Sequence, residues 1–215
     1  MSNYNLKNII STIVGVAFIG IGVGILNLTH FGVDPYSCMN YGISGVIGLS
    51  FGTWQMILNI ILFIPMLVLG RKYIGLGSIC NMFGVGYIAQ FVSYIASLLG
   101  YPTIDFMVAR IIVLIIGVCI ICLGCAVYTM ANLGIAPYDA LAYIVEKLIH
   151  GKIKFKWIRV ITDIVCVAIG FITGSVIGIS TVILMFFTGP LIQFFKDILA
   201  PLFKDNATES TDITV

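Results

Sequence analysis

Charge is what this chain lacks. Of 215 residues, 11 are Lys or Arg and 9 are Asp or Glu, 9% in all, whereas 60% are hydrophobic. A soluble domain carries about 25% charged residues, so this surface is built to face lipid rather than water. Histidine is nearly absent: His30 and His150 each end an apolar segment, and two of them make no zinc site. The six cysteines all lie in apolar segments and define no disulfide framework. Cys119, Cys122 and Cys125 imitate a metal motif, yet three-residue spacing drifts around a helix and no His or carboxylate stands beside them; small buried residues of this kind are ordinary packing. No nucleophile motif, phosphate loop or Rossmann glycine pattern occurs. The chain is therefore expected to be no enzyme, to need no metal or cofactor, to bind no nucleic acid and to use no ATP by itself.

What is present is apolar length. Spanning helices are expected at about Ile9–Leu28, Trp54–Leu69, Ile74–Leu99, Phe106–Met130, Trp157–Ile172 and Ile177–Leu199, most of them near the 17–25 residues that cross a bilayer. The first has no small-residue cleavage site and reads as a span, not a signal peptide. Two shorter apolar segments, Pro35–Leu49 and Pro137–Ile149, sit at the low edge for spanning, and each opens on a proline that suits a first helical turn. They read as half-helices, re-entrant or interfacial. The tail 204–215 is polar and expected to be disordered.

The chain also says one thing twice. Gly32-Val33-Asp34-Pro35-Tyr36-Ser37 is echoed 102 residues later by Gly134-Ile135-Ala136-Pro137-Tyr138-Asp139. Gly15-Val16 and Gly22 recur as Gly117-Val118 and Gly124, and Tyr41 recurs as Tyr143. With one residue inserted, Trp54 recurs as Trp157, and Met82-Phe83, Gly86 and Gln90-Phe91 recur as Met185-Phe186, Gly189 and Gln193-Phe194. Duplicated hydrophobic units are a mark of transporter folds. The expected fold is a single all-α polytopic membrane domain over 1–215, with one repeat at 6–100 and the other at 105–200. Three spans per repeat plus a half-helix would invert the second against the first. The alternative, with both short segments spanning, gives eight spans in two parallel four-helix repeats. Charge favours six: Lys7, Arg71, Lys72, Lys147, Lys152, Lys154, Lys156, Arg159, Lys196 and Lys204 then fall on one side and Arg110 on the other, which puts both termini in the cytoplasm.

A Gly-x-x-Pro-Tyr that opens a half-helix has a physical use. Proline sets the first turn, and the free N–H groups of a helix start attract a carboxylate or other anion. Such broken helices can converge on a substrate site; the plainer alternative is a turn with its tyrosine in the interfacial aromatic belt. The candidate binding residues are Asp34, Pro35, Tyr36, Pro137, Tyr138 and Asp139, placed between the repeats near mid-membrane, with Gln90, Gln193 and Asp163 beside them. Each has a structural alternative. Asp34 and Asp139 can cap helices or hold a cation or proton. Asp163 can pair with Arg159 one turn earlier or carry a proton or ion. Gln90 and Gln193, like Asn59 and Asn81, can bind helices together or line a polar path. Gly189-Pro190 should bend the last span, and Gly15, Gly20, Gly22 and Gly24 give the first a small-residue face for close packing.

The two Pro-Tyr motifs, each followed by an apolar hairpin and a Gly/Ser-rich segment (Gly75-Leu76-Gly77-Ser78 and Gly178-Ile179-Ser180-Thr181), resemble the YitT/YczE-type bacterial integral membrane proteins. The resemblance covers nearly the whole chain and implies a bacterial inner-membrane location and a role in transport, without naming a substrate. That family often has Pro-Trp-Asp where this chain has Pro-Tyr-Ser and Pro-Tyr-Asp, so the first copy lacks the acid at that place. The expected function is secondary transport of a small molecule or ion. The alternatives are a substrate-binding membrane subunit served by a separate energising partner, and a scaffold or sensor subunit. A homo-oligomer is compatible with each.

Overall fold

The computed structural model describes residues 5–101, 103–150 and 152–203, apart from the side chain of residue 202. The tail 204–215 lies outside them. Among the described residues there are eight α-helices, one 3₁₀ turn and no strand: α1 (Leu6–Leu28), α2 (Pro35–Ile47), α3 (Phe51–Leu69), α4 (Leu76–Leu98), α5 (Met107–Met130), α6 (Pro137–Leu148), α7 (Phe155–Ile172) and α8 (Ile179–Phe203), with the 3₁₀ turn at Arg71–Tyr73 before α4.

Five helices, α1, α3, α4, α5 and α8, are long and apolar enough to cross a membrane. At 1.5 Å per residue the 23 residues of α1 reach about 34 Å, slightly more than a hydrocarbon core. Their outer faces are bare aliphatic surface: Ile60, Ile61, Ile64 and Val68 on α3, and Ile111, Ile112, Ile115 and Ile116 on α5, are all exposed. Apolar faces of this extent are solvated by acyl chains. The protein is an all-α polytopic membrane protein. The sixth expected span, α7, differs from the other five. It has 18 residues and carries Lys156, Arg159 and Asp163, of which Asp163 is buried.

Glycines set the direction in which helices pass. On α1, a Cβ at Gly15 would meet Gly124 and Tyr128 of α5, and one at Gly22 would meet Gly117 and Ile121. The numbers rise on one helix as they fall on the other, so α1 and α5 are antiparallel neighbours at a spacing only small residues allow. Against α4 the order is reversed: Val16 meets Gly84, Gly20 meets Val85 and Ile88, and Gly24 meets Ala89 and Val92, so α1 and α4 run parallel. The eight-span arrangement would return α4 antiparallel to α1 and does not fit this packing. We call the face where α1 begins proximal and the face where it ends distal.

The two half-helices are aimed by straps. After α1 the chain turns at His30 (φ 51°) and Gly32 (φ 86°), and after α5 at Asn132 (φ 51°) and Gly134 (φ 105°). These are left-handed conformations in which Gly, Asn and His are the usual occupants. Phe31 O then accepts from Ser180 N (3.0 Å) at the start of α8, and Leu133 O accepts from Gly77 N (2.7 Å) at the start of α4. The first strap returns from the distal face and α2 climbs back toward it, with Cys38 against Gly170 and Gly42 against Thr173 at the distal end of α7. The second returns from the proximal face and α6 descends along α3, where Ile144 covers Gly70 and packs with Met66 and Ala140. Both half-helices thus run back toward the face from which their straps came.

Candidate functional site

The starts of α2 and α6 meet near the middle of α1 and α5. Tyr36 and Tyr138 stack there, ring centroids 4.3 Å apart and 21° from parallel. Pro35 and Pro137 occupy the first turns, where a missing N–H leaves nothing unsatisfied. Each tyrosine is held by the helix that follows its own half-helix. Tyr36 OH donates to Asn59 Oδ1 of α3 (2.8 Å) and Tyr138 OH donates to Asp163 Oδ1 of α7 (2.6 Å).

Charge is divided unequally between these two starts. Asp34 caps α2, its Oδ1 accepting from Ser37 N at 3.1 Å, while its Oδ2 is buried with no partner. At α6 the cap position is Ala136, which offers no side-chain acceptor. Asp139 stands in the first turn instead and binds Arg159 Nη1. The same guanidinium reaches Asp163 Oδ1 through Nε at 3.5 Å and lies over the Tyr138 ring, 4.5 Å from its centroid, a cation–π contact. Arg159 therefore serves two carboxylates and an aromatic face at once. Capping accounts for Asp34 but not for Asp139, and the Arg159–Asp163 pairing that the four-residue spacing suggested is present.

These groups line a cavity of about 370 Å³. Its floor toward the distal face is Val23, Ile121 and Leu184, and its walls run past Thr129, Tyr143 and Phe155 to Lys196 at the proximal ends of α5, α6, α7 and α8. Of the nine residues picked out from sequence, Asp34, Pro35, Tyr36, Tyr138, Asp139 and Asp163 line it. Pro137 does not; it is fully buried behind the Tyr138 turn. Nor do the two glutamines. Gln90 Oε1 accepts from Gly52 N (3.0 Å) and ties α4 to the start of α3. Gln193 is exposed on α8 and donates to Asp197 one turn on (2.8 Å). Sequence reasoning treated Arg159 only as a partner for Asp163 and passed over Gln55, Tyr128 and Cys125, all of which face the cavity. Gln55 and Tyr128 keep a buried polar atom without a partner.

Residues 6–197 match the family of unknown function DUF6198. The chain belongs to this family. Within its wider kinship, an uncharacterized protein of Haemophilus influenzae is 28% identical over 196 residues, 91% of this chain and 86% of the relative. The uncharacterized protein YyaS of Bacillus subtilis is 26% identical, over 86% of this chain and 90% of its own length. The uncharacterized membrane protein YczE of the same bacterium is 24% identical, over 84% and 81%. The relationship to YczE agrees with the resemblance carried by the Pro-Tyr motifs, and it makes the chain a DUF6198 membrane protein of YczE type. No solved structure matches it.

Proposed function

We propose that this protein is a secondary transporter for a small molecule, built from two inverted repeats of three spans and a half-helix, with both termini in the cytoplasm. Sequence-matched α1 and α5 run antiparallel, as inversion requires. The basic residues Lys7, Arg71, Lys72, Lys147, Lys152, Lys154, Lys156 and Lys196 lie at the proximal face and Arg110 at the distal one, which makes the proximal face cytoplasmic.

The observation that carries the transport reading is an inequality between matched contacts. In the first half, α3 and α4 are closed on each other: Gly86 abuts Gly52 and Gln55, and Gln90 holds Gly52 N. The matching residues of the second half are Gly189, Phe155 and Gln193. Gly189 has nothing within 4 Å of where its Cβ would be, Gln193 faces out, and Phe155 N donates to Glu146 instead. The distal gate is shut and the proximal gate is open, and the cavity runs out through the open one. Exchange of the two arrangements between halves would turn the site to the opposite face, which is alternating access.

Paired cysteines test this. In a background with the six native cysteines replaced, Phe155→Cys with Gln193→Cys is expected to form a disulfide under mild oxidation. That lock should expose Val23→Cys, on the buried distal floor of the cavity, to a membrane-impermeant thiol reagent added at the distal face, and reduction should reverse it. If the pair never closes in liposomes while Gly52→Cys with Gln90→Cys does, the halves do not exchange and transport by this route is ruled out.

A further inference from the structure

We propose that the ligand of this cavity is an organic cation and that the Asp34 carboxylate is its counter-ion. This rests on the reading of the cavity as the substrate site.

The argument is an inventory of what the protein has already used. Five charged groups face the cavity: Asp34, Asp139, Asp163, Arg159 and, at the proximal mouth, Lys196. The one guanidinium in the inner part is engaged by Asp139 and Asp163. The two tyrosine hydroxyls at the meeting point donate to Asn59 and Asp163. Both helix starts, which would otherwise draw an anion, already have a carboxylate of the protein, Asp34 at the cap of α2 and Asp139 in the first turn of α6. An incoming anion would find its binding groups occupied and three carboxylates around it.

Acceptors, by contrast, are left over. Asp34 Oδ2 and Gln55 Oε1 are buried without partners, as is the Tyr128 hydroxyl, which can accept or donate. Gln55 and Tyr128 are 3% and 2% exposed. Among the fully buried, unpartnered atoms of the lining, Asn59 Nδ2 is an amide donor. Buried polar atoms are ordinarily paired, and this cluster asks for a partner that brings N–H groups and positive charge. A bare metal ion fits less well: among the described residues no group of three or more His, Cys, Asp or Glu is placed to hold one. The volume, about 370 Å³, falls in the range of small-molecule pockets.

Cys125 lines the cavity and reports its potential without knowledge of the ligand. The other five cysteines are replaced, and the full chain in liposomes is treated with three methanethiosulfonates: trimethylammonium-ethyl, sulfonatoethyl and the neutral methyl reagent. Each rate is divided by the rate with a free thiol in solution. The cationic reagent is expected to outpace the anionic one by about tenfold or more at neutral pH, a size set by one unpaired charge at short range in a partly polar site. Asp34→Asn, which keeps the helix cap, should bring that ratio most of the way to one. Thr188→Cys on the facing wall is the second reporter should the Cys125-only protein not fold. Equal rates, a faster anion, or a ratio unmoved by Asp34→Asn would overturn the proposal and leave the cavity reading standing. No reaction with any reagent at either reporter would show a closed site and remove both.

Discussion

In the first half of the molecule Tyr36 donates to an amide, Asn59, and the nearby carboxylate caps its own helix. In the second half Tyr138 donates to a carboxylate, Asp163, and an arginine joins that acid to Asp139. The backbones around them agree closely. Straps turn through left-handed residues at His30 and Gly32 and again at Asn132 and Gly134, and each strap carbonyl, Phe31 or Leu133, is seated on a glycine at the start of a long helix. Duplicated scaffolding has been kept where it fixes the helix starts, and the chemistry has diverged where the two starts meet. That division separates the contacts that fix the helix starts from the polar groups that line the cavity.

The sharpest way to break the comparison is Arg159→Ala. It strands Asp163, whose side chain is 7% exposed, beside Asp139, and removal of one partner from a buried ionic pair costs about 3 kcal/mol or more. Thermal unfolding in detergent should register this as the largest loss among single substitutions at the site. A small shift would mean that the second half is held by packing, as the first is. Next are Gly75→Ala and Gly178→Ala. Their new methyls would strike the Leu133 and Phe31 carbonyls, and overpacking of this kind costs about 1–3 kcal/mol. The two losses should match, and one tolerated glycine would show that the straps are not equivalent. Tyr138→Phe and Tyr36→Phe then measure the divergence itself. A hydrogen bond to a charged acceptor is worth about 2 kcal/mol and one to a neutral amide about 1 kcal/mol, so the second half should lose more. The smallest effects are at the glutamines. Gln90→Ala leaves Gly52 N unpaired at about 1 kcal/mol, while Gln193→Ala should stay within about 0.5 kcal/mol in stability. Slower gate exchange in a cross-linking assay that pairs Phe155→Cys with Gly189→Cys and leaves position 193 free to vary, with stability intact, would separate Gln193's role from that of a surface residue.

Much of the fold was legible because the bilayer imposes simple rules. Apolar length located α1, α3, α4, α5 and α8, and Pro35 and Pro137 marked the half-helix starts to the residue. Six of the nine candidate site residues line the cavity because the doubled motif stands where two helix starts are forced together. The rest was hidden for physical reasons. Gln90 and Gln193 are equivalent in sequence, yet one ties α4 to the start of α3 and the other is exposed on α8, and a sequence match cannot announce which contact each one makes. Arg159 looked like the local partner of Asp163, since the helix period exposes only neighbours on α7, whereas its contact with Asp139 crosses to α6. Gln55 and Tyr128 gave no motif at all. They matter through unfilled hydrogen-bonding capacity, which only a three-dimensional environment defines.

The seam between α1 and α5 is reciprocal. Gly15 meets Gly124, and Gly22 meets Gly117. In the register of the repeat, Gly117 is the counterpart of Gly15 and Gly124 of Gly22, so each glycine touches the partner of the other. Two identical bodies related by a twofold axis obey that rule. At this seam the matched glycines are exchanged across the contact, so substitutions at Gly15 and at Gly117 are expected to disturb opposite ends of the same interface.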